Sequence, residues 1–562
     1  MKGAGPGAPR GLPRERWWVA ALLAVHVALA GWGALRTSVT YDENFHLPAG
    51  LMILERGNFT GSVAQPPLPK VLYALPALAL GARLPAPAAM TSGDEGTVGE
   101  SFMRVNADRY GRLYLAGRMV GLLFSVLLGL LVWRWARSLY GSARGVLSLA
   151  LYALAPESLA HAGIVGTDLP TALSFTAVLY AFWRFANDAG RRAWGWLALA
   201  VAAAAVVRFS AVQLAPVMAL ALGVAQVRGR LRAPRRAWLG LLALVPVAWA
   251  AVTAGYAFDT HWGPWGDLPF RSENFRAFVA RWPGFRFPLP TVYLAGLDYM
   301  SLLGQADRAT TYLLGRELTG VVWYYFPLAL LFKHPLGLLG AAGLRAFTRV
   351  RAARADAVPA EWLLGIAAAV ALAIAMFLTR YNFGIRYLLL LLPLACVWCG
   401  GLLARGVPRA ARVVAATLAV AVLVESAAAA PWHLSFFNRL SGGPGGGDRL
   451  VNDSNVDWGQ GLLALRDEMR RRGIARVHLA YHGTTDPAVY GIDYVPYLGG
   501  SPGPESDWLA VSSYYFVGLG QRMMTPRGRT EPLRFDLRPL WGQAPVARPG
   551  ECMYLFRLRG PR

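Results

Sequence analysis

The chain has 562 residues, of which 55% are hydrophobic and only 16% charged, with a mean hydropathy of +0.37. Repeated apolar runs near the roughly 20 residues that cross a bilayer make it polytopic and exclude an ordinary soluble protein. The net charge of +24 does not indicate a nucleic-acid surface, because the arginines cluster in short loops between apolar runs, the positive-inside pattern.

In chain order, Met1 to Arg16 carries Lys2, Arg10, Arg14 and Arg16 among glycine and proline, and Trp17 to Leu35 is apolar behind a tryptophan pair. This reads as a cytoplasmic tail and first span, not a cleaved signal peptide. A polar first outer loop follows over residues 36–112, with a short apolar stretch, Val71 to Leu80, suited to lie along the interface.

Further spans are predicted at Leu113–Trp133, Gly145–Ala160, Leu169–Phe185, Ala193–Val207, Phe209–Val227, Ala237–Ala257, Val321–Leu344, Trp362–Thr379, Tyr387–Ala404 and Val413–Ala428. With the first, that makes about eleven. Arg134, Arg137 and Arg144; Arg184, Arg191 and Arg192; Arg228 to Arg236; Arg345, Arg349, Arg351 and Arg354; and Arg405, Arg409 and Arg412 fall in alternate loops. Those loops are therefore expected in the cytoplasm, with the amino terminus inside and the carboxyl terminus outside. Asp42, Lys70, Asp168, Asp259 and Arg386 then share the outer side.

Beyond Pro431 the long apolar runs stop, which predicts a membrane module over 1–430 and an extracytoplasmic α/β domain over 431–562. Leu462 to Arg472 reads as a helix ending at Gly473, and Val477–Tyr481, Trp508–Val517 and Cys552–Leu558 read as strands. The three cysteines, Cys396, Cys399 and Cys552, cannot form a disulfide scaffold, and the CxxC spacing within one apolar run reads as core packing without a second ligand pair.

Chemistry is concentrated after the first span, at Tyr41-Asp42-Glu43-Asn44-Phe45-His46-Leu47. Carboxylates at a bilayer face cost several kcal/mol if left in hydrocarbon, so they face water or serve a site. Near the predicted outer surface the chain supplies the acids Asp42, Glu43 and Asp168 and the cations Lys70, Arg118, Arg208, Lys333 and Arg386. Acids beside fixed cations at a lipid interface suit the deprotonation of a hydroxyl while a phosphate leaves. Lysine is otherwise nearly absent, Lys2, Lys70 and Lys333 being the three in the chain.

Asp42-Glu43, the Pro66-Pro67-Leu68-Pro69-Lys70 run, His161 with Thr167-Asp168, Trp323 to Pro327 followed by Lys333, Asn382 to Tyr387, and Asp453 to Gln460 together resemble bacterial GT-C membrane glycosyltransferases of the family 39 type, the protein mannosyltransferase and aminoarabinose transferase type. The resemblance runs over almost the whole chain. It implies a polytopic α-helical fold of the GT-C type and inverting transfer of a sugar from a polyprenyl-phosphate donor to an acceptor hydroxyl at the outer face of a bacterial cytoplasmic membrane. It implies Asp42 as general base with Glu43 in support, and donor phosphate contacts from Lys70 and Arg386, to which Lys333 and Arg118 are added as nearby cations. Asp168, His46 and His161 are the expected substrate contacts.

No cofactor is required by this reading, although some enzymes of the type use a divalent cation; the sequence contains no metal-ligand cluster. The expected partners are the lipid-linked donor, a lipid, glycan or protein acceptor and membrane lipids, but no nucleic acid. Gln65 and Pro69 stand where protein mannosyltransferases usually carry histidine and glycine, which weighs against a protein acceptor. Asp453 to Gln460 also fits a capped turn that docks the last domain, and Trp323 to Pro327 fits an aromatic belt with a kink. The competing class is a transporter or lipid-linked sugar flippase, but the sequence has no convincing internal repeat and its candidate site lies at the outer face, not the midplane.

Overall fold

The computed structural model describes residues 14–558 except 87–94, 189, 306–309, 349–355, 381, 405, 500–501, 519–521, 525–529, 533–536, 538–539 and 541. Lys2, Arg10, Arg349, Arg351, Arg354 and Arg405 therefore lie outside the described residues.

The first helix, α1 (Glu15–Arg36), is followed by three short helices that build the first loop: α2 (Glu43–Arg56), α3 (Leu68–Ala79) and α4 (Glu95–Val105). Asp42 stands at the N-cap of α2, which ends at Gly57 with φ 60°, a left-handed turn that favours glycine. Pro69 sits in the first turn of α3, where its missing N–H is tolerated, and α3 has only 12 residues, too few to span. Gly50 lets α2 and α3 touch, since a Cβ there would lie 2.1 Å from the Lys70 carbonyl oxygen.

The helices α5 (Tyr110–Tyr140), α6 (Ser142–Ala153), α7 (Pro156–Ala162), α8 (Asp168–Asp188), α9 (Arg191–Ala205), α10 (Leu214–Val227), α11 (Pro234–Leu242) and α12 (Leu244–Gly255) follow. After them come α13 (Glu273–Arg281), α14 (Thr291–Gln305), α15 (Tyr325–Lys333), α16 (Leu336–Phe347), α17 (Ala360–Phe377), α18 (Leu391–Cys399) and α19 (Arg409–Ala429). By length and composition, six helical stretches among the described residues can cross a membrane, or up to seven if α15 and α16, bent by 114°, form one span. Of the expected eleven, four are not among these: α8 is an unbroken helix of 21 residues that falls short on composition, and the other three are broken or short. Pro156 follows the end of α6 and opens α7, α9 has 15 residues, and the Tyr387–Ala404 run divides into 3-10 turns around the nine-residue α18.

Two of the buried cores among the described residues position the site. Leu128 and Trp135 of α5, Leu151 of α6 and Phe175 and Phe182 of α8 anchor the core between the membrane helices. Close approach is set by small residues: a Cβ on Gly121 of α5 would lie 2.6 Å from the Ala162 carbonyl oxygen, which brings the 163–167 loop and Asp168 against α5. The second core joins Tyr325 and Phe326 of α15 to Leu462 and Leu465 of α20 (Leu462–Arg472) and to the last sheet.

Among the described residues there are four short sheets. The pairs are β1 (Thr260–His261) with β2 (Leu289–Pro290), β3 (Thr310–Leu313) with β4 (Arg316–Thr319), and, later, β8 (Arg522–Met524) with β9 (Thr530–Pro532). The fourth contains β5 (Val477–Ala480), β6 (Tyr494–Pro496), β7 (Trp508–Ser512) and β10 (Met553–Arg557) in the order β10-β7-β5-β6. β5 runs parallel to both neighbours and β10 antiparallel to β7. The strand expected over Trp508–Val517 stops at Ser512, where the chain turns into the short helix α21 (Ser513–Phe516). Helix α20 ends, as expected, at Gly473 with φ 66°.

Candidate active site

The Asp42 side chain is 28% exposed at the wall of a cavity of about 1480 Å³. The first loop, the start of α8, the turn after α9, α14, the 383–390 segment and the loops of the last sheet all line it. Arg386 Nη1 donates to Asp42 Oδ2 at 2.7 Å and reaches Asp168 Oδ2 at 3.5 Å. Arg208 Nη1 donates to the other Asp168 oxygen at 3.0 Å and to Thr167 Oγ1 at 2.6 Å. Two carboxylates and two guanidiniums therefore alternate along one wall, and each charge has an opposite neighbour.

The Arg386 position follows from local sequence. Gly384 has φ 144°, and a Cβ there would meet Ser454 Oγ at 2.5 Å. Ser454 Oγ donates to the Phe383 carbonyl, and Ile385 N donates to Asn455 Oδ1 at 3.0 Å, so the 382–387 segment is strapped to 453–455. The Arg386 guanidinium then lies 4.1 Å from the ring centroid of Trp458. The same 453–460 string is tied to the first loop, for Tyr41 N donates to the Trp458 carbonyl at 2.8 Å and Ser38 N to that of Gln460 at 3.0 Å. The strings that are far apart in sequence thus meet around Asp42.

Asp42, His46, Asp168 and Arg386 of the expected site line the cavity; Glu43, Lys70, Arg118, Lys333 and His161 do not. Glu43 is fully buried and accepts from Arg118 Nε at 2.9 Å and Nη2 at 2.6 Å, from Thr40 N at 2.8 Å and from Val165 N at 2.8 Å. Arg118 also donates to the carbonyls of Ala34, Thr37 and Ser38 at 2.8, 2.9 and 2.8 Å. Lys70 Nζ donates to Ser62 O at 2.6 Å and Gln65 O at 2.7 Å, closing the loop that precedes it. Lys333 Nζ donates to Leu434 O at 2.8 Å and Asn455 O at 2.5 Å. These cations are turned to backbone carbonyls and stand outside the cavity lining. His161 is buried edge-on to Trp458, 6.5 Å between centroids.

His46 is neutral, since burial pushes its imidazole down to about 4, and its Nδ1 has no partner among the described residues. The sequence places Arg208 among the outer-side cations without giving it a specific contact, and it does not single out His482 from the sheet. His482 stacks on Tyr514 at 3.8 Å and on Tyr41 at 5.6 Å, joining the last sheet to the first loop at the cavity. Its position just past the carboxyl end of β5 was the available signal, because ligand loops gather at such strand ends. Asp453 lines the cavity with φ 61°, and burial pushes its carboxyl up to about 7. Among the described residues no group of three or more His, Cys, Asp or Glu side chains could hold a metal ion, and Asp42 and Asp168 both face Arg386.

Residues 103–251 match the sequence profile of the family described as dolichyl-phosphate-mannose-protein mannosyltransferase. Over those residues the match bears out the resemblance to glycosyltransferase family 39. Among solved structures the chain is similar to ArnT from Cupriavidus metallidurans bound to undecaprenyl phosphate, at 15% identity and a TM-score of 0.45, over 97% of this chain and 99% of that one. It is also similar to the Archaeoglobus fulgidus oligosaccharyltransferase in complex with Zn and sulfate, at 13% identity and a TM-score of 0.40, over 93% of this chain and 74% of that one. For the S. cerevisiae protein O-mannosyltransferase Pmt1-Pmt2 complex bound to the sugar donor the identity is 18% and the TM-score 0.30, over 44% of this chain and 34% of that one. Comparison with the curated proteins finds no match.

Proposed function

We propose that the chain is an inverting glycosyltransferase that moves a sugar from a polyprenyl-phosphate donor to an acceptor hydroxyl. The observation that carries this reading is the Asp42–Arg386 pair at the cavity wall, 2.7 Å apart. Arg386 holds one oxygen of Asp42, while Oδ1 accepts no hydrogen bond among the described residues. Asp42 Oδ1 takes the proton of the acceptor hydroxyl as that oxygen attacks the anomeric carbon from the face opposite the phosphate. The bond from anomeric carbon to phosphate oxygen breaks, and its electron pair leaves with the lipid phosphate.

Arg386 and Arg208, whose guanidiniums line the cavity beside Asp168, are the donors placed to meet that phosphate. Glu43 and Arg118 act as positioning residues, fixing the backbone on both sides of Asp42. The family description over residues 103–251 supports a lipid-phosphate sugar donor. The reading includes a bacterial cytoplasmic membrane location, about eleven crossings in total, a cytoplasmic amino terminus and an extracytoplasmic domain over 431–562. The sugar and the acceptor, whether lipid, glycan or protein, are left to assay.

The test is transfer of labelled sugar from a panel of polyprenyl-phosphate donors to extracted cell-envelope acceptors, with purified wild type and Asp42→Asn in parallel. Transfer by the wild type that is lost in the variant, with donor binding kept, supports the reading. Equal transfer by both proteins overturns the assignment of the base.

A further inference from the structure

Between α12 and α14 the chain makes a lobe, residues 256–290, that the proposed chemistry does not use. Its core is a ring cluster: Trp265 packs on Phe285 at 4.9 Å and on Phe278 at 5.8 Å, and Phe278 packs on Phe285 at 5.1 Å. The outer side of that cluster is open, with Trp282 56% and Phe287 43% exposed. From Asn274 to Pro290 the chain carries Arg276, Arg281 and Arg286 and no acid. All three arginines are exposed, and none forms an ion pair among the described residues.

The placement of the lobe decides what covers it. Pro234–Gly255 is one of the stretches able to cross a membrane, and Trp249, six residues before its end, donates from Nε1 to the Pro288 carbonyl at 2.6 Å. The β1–β2 pair and this bond fold the lobe back along the last turns of the span, not away into water. At that depth an exposed aromatic edge meets the interface between acyl chains and headgroups, and the arginines beside it meet phosphates. Membrane surfaces rich in anionic lipid attract such arginines within a Debye length.

We infer that residues 274–290 form a membrane-surface binding element for anionic phospholipid headgroups. Trp282 and Phe287 enter the interface, and Arg276, Arg281 and Arg286 bind headgroup phosphates. The lobe is fixed to the cavity through Asp298 of α14, which accepts from Arg271 N at 2.7 Å and Ser272 N at 2.9 Å, while the neighbouring Tyr299 and Met300 line the cavity. The element thereby seats this side of the cavity at headgroup level. The inference rests on membrane embedding and is independent of the sugar chemistry.

Cys396, Cys399 and Cys552 are all buried, so a single exposed thiol can be labelled in the full-length protein. An environment-sensitive fluorophore is placed at Trp282→Cys, at Phe287→Cys and, as a control in the turn before β7, at Glu505→Cys. The proteins are reconstituted in bilayers of phosphatidylcholine alone or with phosphatidylglycerol, each with the same fraction of headgroup spin-labelled lipid. The expected result is a blue shift and quenching at 282 and 287 but not at 505, with stronger quenching when phosphatidylglycerol is present. The R276Q/R281Q/R286Q variant, its fold checked by thermal melting, loses that lipid dependence. Probes at 282 and 287 that read as wet as the control, as they would if a protein partner covered the lobe, overturn the inference. Equal quenching in the two bilayers overturns the anionic headgroup as its ligand.

Discussion

Asp42 and Arg386, 344 residues apart, meet at 2.7 Å, and the same guanidinium lies 4.1 Å from the Trp458 ring centroid. One contact therefore fixes the first loop, the 382–387 segment and the string before α20 to each other. The carboxylate is held by one oxygen and keeps the other for the cavity, which suits a base that must accept a proton without swinging away.

Asp42→Asn keeps the size of the side chain and a hydrogen-bond acceptor for Arg386, but removes the proton acceptor. Transfer is expected to fall by roughly 10² to 10⁴, with donor affinity and melting temperature close to wild type. A rate within a few-fold of wild type in a single-turnover assay would remove Asp42 from the chemistry.

Arg386 and Lys70 should separate in their phenotypes. Losing a charge-assisted bond to phosphate costs about 1.5–3 kcal/mol, so Arg386→Gln is expected to weaken donor binding by roughly tenfold or more. Lys70→Met instead strands the Ser62 and Gln65 carbonyls that the ammonium now caps, and is expected to lower the melting temperature more than the donor affinity. Donor titration and thermal melting on both variants check this, and a larger affinity loss in Lys70→Met would return Lys70 to the phosphate.

The motifs were legible because chemistry-bearing residues are rare in so apolar a chain, and their common side followed from the arginine loops. Which cations face the cavity was not legible. Lys70 and Lys333 carry the same charge as Arg386, yet their ammonium groups turn to carbonyls of Ser62 and Gln65 and of Leu434 and Asn455, a choice set by tertiary contacts. Span boundaries failed at Pro156 and Pro335, where apolar composition continues but the helix does not. β6 went unread because it has three residues and ends in Pro496, tolerable at the sheet edge it occupies.

Glu43 and Arg118 form a buried pair whose side chains are 0% and 3% exposed. Arg118→Met leaves the Glu43 carboxylate without its counter-charge and releases the carbonyls of Ala34, Thr37 and Ser38. Breaking such a pair from one side costs about 3–5 kcal/mol. The expected outcome is a lower yield of folded protein and a clear drop in melting temperature, while Glu43→Gln/Arg118→Met, which removes both charges, recovers part of the loss. A stable Arg118→Met protein with only donor binding impaired would move Arg118 from scaffold to site.

Asp457 sits in the turn between the first loop and α20, and burial pushes its carboxyl up from 3.8 to about 7. The unfolded chain gives up this proton near pH 4, whereas the folded chain keeps it until about pH 7. Between those values the folded state binds more protons than the unfolded one, so this group makes stability fall as pH rises, and its contribution becomes flat above about 7. Asp457→Asn mimics the neutral form at every pH. Its melting temperature in detergent should exceed that of wild type at pH 8 by more than it does at pH 5, and the slope between should be shallower. Parallel wild-type and variant curves across that range would show that Asp457 is ionised in the folded protein, with its charge met by the Gly459 amide that donates to Oδ1 at 3.0 Å.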